Sequence, residues 1–115
     1  MFADDAVADD LQLVKIAKAL ADPTRFRILR AIAGTEELSC SEIVRRFPIS
    51  QATVSHHVRV LAESGLVHMH RRGHFNYLSA VPGRLAWYRR TLRQLLGWSR
   101  RVSWRAGRDR IRSRT

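Results

Sequence analysis

From Ser39 to Gly65 the chain reads SCSEIVRRFPISQATVSHHVRVLAESG, and the punctuation of that stretch leaves few folds open. Ser39-Cys40-Ser41-Glu42 places a hydroxyl ahead of a carboxylate at the spacing of a capping box, which opens a helix running to about Arg46. Phe47-Pro48-Ile49 ends it, because proline lacks a donor and disfavours helical backbone in the residue before it. Ser50 is a second N-cap for a helix over 51–63, and Gly65 supplies a left-handed stop. Two short helices joined by a tight turn form a helix-turn-helix.

The flanks complete a small domain around it. In DDLQLVKIAKAL (9–20), Leu11, Val14, Ala17 and Leu20 recur at helical spacing and predict one apolar face. Asp22 caps and Pro23 opens a helix over 23–33 that turns Phe26, Leu29 and Ile32 inward and stops at Gly34. After Gly65, LVHMH (66–70) and FNYLS (75–79) are strand-like, with RRGH between them and Gly73 providing the turn. A basic hairpin in that place is a wing. Pro82-Gly83 then punctuates, and a helix over about 84–104 carries Leu85, Tyr88, Leu92, Leu95 and Val102. The expected fold is mainly α with a small β-hairpin, a winged helix-turn-helix of about five helices and a two-stranded wing. It occupies 1–104 as one domain, followed by a basic, disordered tail over 105–115.

Charge narrows the partner. Residues 1–80 hold ten Lys/Arg and nine Asp/Glu, whereas 81–115 hold eleven Arg and one Asp. That field favours a polyanion, either nucleic acid or an anionic membrane surface. A hydrophobic content of 45% argues against wholesale disorder, yet no apolar run reaches membrane-spanning length. The acidic start MFADDAVADD is no export signal, and the lone Cys40 suits a reducing compartment, so a cytoplasmic, nucleoid-associated protein is expected.

On helix 51–63, Val54, Val58 and Leu61 form the stripe that faces the core, and His57 falls on the same side. A half-buried His57 would be satisfied by a backbone carbonyl. Gln51, Ala52, Ser55, His56 and Arg59 lie outward, with Thr53 at the margin and no carboxylate before Glu63. Such a face suits the major groove: glutamine can grip adenine, hydroxyls meet base edges or phosphates, and nothing bulky blocks approach. The competing reading is an ordinary solvated helix face.

These phrases together resemble the ArsR/SmtB-type winged-helix transcriptional repressors of bacteria, from about Leu20 to Ala80. LADPTRFRIL (20–29) is similar to that family's opening helix pair, ELSCSEI (37–43) to its sensing segment, ISQATVSHHVRVLAESGLV (49–67) to its recognition unit and RRGHFNYLS (71–79) to its wing. The resemblance implies a homodimer clamped by its first and last helices, bound to a palindromic DNA operator and repressing transcription. It places Gln51, Ser55 and His56 in the major groove, with Ser50, Ala52, Thr53 and Arg59 nearby. Arg71, Arg72 and His74 become the wing's reach to backbone or minor groove. Leu11, Val14, Leu85, Tyr88, Leu92, Leu95 and Val102 become the dimer interface. The apolar load of the last helix points the same way, because Trp87, Leu96 and Trp98 add to it and a small domain has little core to cover them. The alternative is a monomer that folds this helix back on its own core.

The sequence departs from the family at both of its common metal sites. A Cys-x-Cys pair in the sensing segment is replaced by Ser39 and Ser41, and hydroxyls are poor ligands for soft ions. The last helix, 84–104, has no Asp, His or Glu with which to bind zinc. No metal and no cofactor is expected. A metal- or redox-responsive sensor would need other groups: His68 and His70 with His74 on the hairpin, or a Cys40 thiol whose pKa is lowered at a helix start. A winged module for RNA or protein lacks an exposed aromatic platform, and no nucleophile–base pairing or phosphate-cradling loop suggests an enzyme.

Overall fold

The computed structural model of the chain describes residues 2–97. Its elements are α1 (Phe2–Leu20), α2 (Pro23–Ala33), β1 (Leu38–Ser39), α3 (Cys40–Arg46), α4 (Gln51–Glu63), β2 (Val67–Arg72), β3 (Phe75–Ala80) and α5 (Pro82–Leu95). The start signals act as the sequence implies. Asp22 Oδ2 accepts from the Arg25 amide at 2.8 Å, with Pro23 in the first turn. Ser39 and Glu42 close a reciprocal capping box, and Ser50 Oγ accepts from the Thr53 amide at 3.1 Å. Beyond α4, Gly65 takes a φ of 81°, the left-handed turn that sends the chain into the sheet.

The wing has three strands instead of two, in the antiparallel order β1-β3-β2. Leu38 lies opposite Leu78 and Ser39 opposite Tyr77. A two-residue strand is too short to show alternation, and Ser39 announces a helix more loudly than a strand. The hairpin is also longer than LVHMH and FNYLS imply, because Arg71 and Arg72 pair with Asn76 and Phe75. Only Gly73 and His74 remain for the turn. Gly73 has a φ of 60° and His74 a negative one, the arrangement of a type II′ turn with glycine first.

The core gathers Ile16 and Ala19 of α1, Ile28 and Ile32 of α2, Ile43 of α3, Val54, Val58 and Leu61 of α4, and Leu38, Leu66, Val67 and Leu78 around the sheet. On two helices the residues that meet the core are not all those of the stripe read from spacing, although Leu29 and Ile32 of α2 do face it. In α1 it is Leu13, Ile16 and Ala19 that turn inward, whereas Leu11 is 60% exposed. In α2 Ile28 replaces Phe26, which is 45% exposed. Both helices carry apolar residues on two stripes, and periodicity alone does not say which stripe meets the chain's own core. Leu61 is wholly buried at the centre. Leu61→Ala is expected to lower unfolding stability by about 2–5 kcal/mol, measured by chemical denaturation; a loss under ~1 kcal/mol would show that this centre is loosely packed.

The last helix begins earlier and ends sooner than 84–104. Pro82 serves as its first-turn residue, since a missing N–H costs nothing there. At its other end, Gly97 turns left-handed with a φ of 59°, after Leu96. Val102, Trp98 and the basic segment 105–115 lie outside the described residues. Among those that are described, no helix is long and apolar enough to cross a membrane.

Candidate nucleic-acid interface

The exposed side of α4 is short, polar and anchored from behind. Gln51, Ala52, Thr53, Ser55, His56 and Arg59 are all exposed, while Val54, His57, Val58 and Leu61 hold the opposite side in the core. Ser50 and Thr53 are tied to each other, their hydroxyls 2.9 Å apart, so both have one polar direction spent on the helix start. Residues of α3 and β3 border this face: Arg45, Ser41 and Asn76 line a groove with Gln51 and Ser55. Arg45 and Asn76 were not among the candidates from sequence. Only the packing of α3 against both α4 and β3 brings them beside Gln51.

His57 is buried, at 9% exposure, but it meets side chains where a backbone carbonyl was expected. Arg25 Nη1 stands 3.3 Å from its Nδ1, and Asp22 Oδ2 lies 4.0 Å from its Nε2. Burial pushes the imidazole below its ordinary range, Asp22 opposes that, and Arg25 adds to it.

The wing's cations are not all free. Arg71 donates from Nε to the carbonyl of Gly73 at 3.2 Å, curling over the turn, and His74 is exposed at the tip. Arg72 folds back: it pairs with Glu37, and its guanidinium lies 4.0 Å above the Tyr77 ring. The same Glu37 accepts from His70 Nε2 at 3.1 Å. The hydrogen bond and charge of Arg72 hold the Glu37 carboxyl below the usual carboxylate range. A depressed folded-state pKa means that the group stabilises the fold above its ordinary value and ceases to do so as pH falls through the lower one. Glu37 had no signal in the sequence, because its partners are more than thirty residues away.

The groups that an alternative sensing role would use are the wing histidines and Cys40. The His68 and His70 rings stack 5.5 Å apart, but His70 is engaged by Glu37, and among the described residues no three His, Cys, Asp or Glu side chains converge. At Cys40 the lowered thiol pKa that a redox sensor would need is not found, because burial pushes it up. The seven-residue α3 does too little at its start to outweigh that desolvation.

A helix-turn-helix whose second helix exposes a small polar face, backed by a hairpin of basic side chains, is a winged DNA-binding domain. The comparisons extend that assignment. A family model described as a helix-turn-helix domain matches residues 20–70. The transcriptional repressor SdpR of Bacillus subtilis is 36% identical over 64 residues, which cover 56% of this chain and 70% of SdpR. An ArsR-like transcriptional regulator from Rhodococcus sp. RHA1 superposes with a TM-score of 0.74 at 28% identity, over 90% of this chain and 95% of that one. A homodimeric winged helix-turn-helix DNA-binding domain from Mycobacterium bovis shares the fold, with a TM-score of 0.63 at 24% identity over 84% of this chain and 86% of that domain. The chain belongs to the ArsR/SmtB family of helix-turn-helix transcriptional regulators, and it is a DNA-binding regulator of transcription.

Proposed function

We propose that the chain acts as a homodimeric, sequence-specific repressor that reads a palindromic operator with α4 and needs neither metal nor cofactor to do so. The observation that carries this is the outer face of α4, where Gln51, Ala52, Thr53, Ser55, His56 and Arg59 are exposed together with no carboxylate among them. Gln51, Ser55 and His56 would meet base edges, while Ser50, Ala52, Thr53 and Arg59 flank them against sugar and phosphate. Arg71 and His74 would reach the backbone from the wing, and Arg72 would join them only when released from Glu37. Pairing would cover Val7, Leu11 and Val14 on α1 and Leu85, Leu95 and Leu96 on α5, all large apolar side chains left exposed by the single chain. Those two helices pack against each other, so one partner could cover both. Leu92 and Tyr88 are only partly exposed, and Tyr88 also leans on its own core. The Mycobacterium bovis domain, which has this fold, is homodimeric. Repression would follow from occupancy of a promoter by a cytoplasmic protein bound to the nucleoid, with no catalytic step.

Salt titration of binding to duplex DNA tests this. The logarithm of affinity should fall linearly with the logarithm of salt, by about 0.9 per phosphate neutralised, at a stoichiometry of two chains per duplex. Saturation by one chain per duplex would contradict the paired form. Glu37→Ala should free Arg72 from its partner and steepen that slope by about 0.9, one added phosphate contact. An unchanged slope would place Arg72 away from the DNA. The same variant should lose the share of stability that the native chain sheds as pH falls below 4.5, measured by acid denaturation, since the depressed carboxylate is then absent.

A further inference from the structure

We propose that Arg25 is a positioning residue for operator recognition, coupling α1, the helix expected to pair the chains, to α4 through His57. The proposal rests on the dimeric, DNA-reading assignment above. The last carbonyls of a helix have no donor within it. Arg25 supplies two of them at the end of α1, donating from Nε to the Ala19 carbonyl at 2.9 Å and from Nη2 to the Lys18 carbonyl at 2.8 Å. Its remaining arm, Nη1, points at Nδ1 of His57 at 3.3 Å. One planar, rigid fork therefore spans the end of α1 and the buried side of α4. His57 stands directly behind His56 on that helix, their rings 5.8 Å apart. Among the described residues α1 and α4 also share the apolar core through Ile16, Ala19, Val54, Val58 and Leu61, and hydrophobic contact of that kind is non-directional. The hydrogen bonds of Arg25 are directional, and they set the angle at which α4 is presented. In a dimer that angle becomes the separation of two reading helices, which must match one turn of DNA, about 34 Å.

The link also demands a protonation state. A guanidinium has no acceptor, so Nδ1 of His57 must accept, and that nitrogen carries no proton. The charged groups facing the ring are Asp22, the cap that precedes α2, Arg25 of α2 and the neighbouring His56 on α4, while α1 presents backbone carbonyls to Arg25. Protonating His57 sets two cations against each other, draws the ring toward Asp22 and releases Arg25. Protonation of His57 should therefore weaken recognition in acid.

Duplexes enriched from a random pool by the wild-type chain, with half-site spacing varied by single base pairs, form the test. Arg25→Lys keeps the charge but not the fork. It should remain a dimer by light scattering and bind scrambled duplex as the wild type does, while its preference for the enriched sequence falls about tenfold, the scale of one misread base pair. It should also accept spacings one base pair longer or shorter. In the wild type that preference should fall in acid, below the ordinary histidine range, because burial lowers the pKa of His57, and in His57→Asn, whose amide oxygen can take the place of Nδ1 and does not titrate, it should be retained and fall less. Full preference and unchanged spacing in Arg25→Lys would overturn the proposal. If that variant does not fold, the pH arm decides: a fall in His57→Asn equal to the wild type's would overturn it. A wild-type chain that enriches no inverted repeat would instead remove the dimeric reading, and the coupling with it.

Discussion

Leu11→Glu is expected to turn the paired chain into a soluble monomer and to weaken operator binding by about 10²-fold or more. Leu11 is 60% exposed in the single chain, so a carboxylate there meets water and leaves the monomer fold intact. In a dimer the same position would be covered, and an ionised carboxylate taken out of water without a partner is strongly unfavourable. The affinity follows from linkage. Two reading helices on one body convert the second half-site into an intramolecular contact, which raises avidity by about 10²–10⁴ over a single site. Sedimentation at micromolar concentration gives the mass, and a titration with a two-half-site duplex gives the affinity. A Leu11→Glu chain that stays dimeric would place the interface elsewhere than on α1.

Gln51→Ala should leave fold and dimer unchanged but cost about 1–3 kcal/mol of binding to the preferred sequence, and His56→Ala should do the same. Both side chains are exposed on the first turns of α4 and make no contact on which the core depends. A side chain that meets base edges carries sequence discrimination, whereas one that meets phosphate weakens all sequences alike. The ratio of preferred to scrambled duplex therefore separates the two roles. It should drop towards one for Gln51→Ala and His56→Ala, and stay level for Arg59→Ala if that arginine meets the sugar–phosphate chain. Full discrimination in both alanine variants would move the reading face away from these residues.

How far the sequence disclosed this arrangement depends on how local each signal is. Ser39 with Glu42, Asp22 with Pro23, and Ser50 each act within a single turn, and the helix starts they mark lie where they predict. The division of α4 was equally readable, because Val54, Val58 and Leu61 form one unambiguous stripe. Where two apolar stripes share a helix, as on α1 and α2, local spacing could not rank them; the choice between Leu11 and Leu13, or Phe26 and Ile28, is made by the neighbours. The exposed stripe of α1 carries Leu11 and Val14, the residues that a second chain would cover. Contacts between distant segments left no trace at all: Glu37 gripping Arg72, Arg25 reaching His57, and the short pairing of Leu38 with Leu78. The thiol of Cys40 shows the same limit, because a helix start is visible in sequence and the burial that outweighs it is not.

Selection of bound duplexes from a random pool by the purified wild-type chain probes the heart of the account. The result foreseen is an inverted repeat whose two arms are centred about 10 base pairs apart, so that a two-fold protein lays both α4 helices in successive major grooves. Enrichment of a single unrepeated motif, or of no motif, would contradict it.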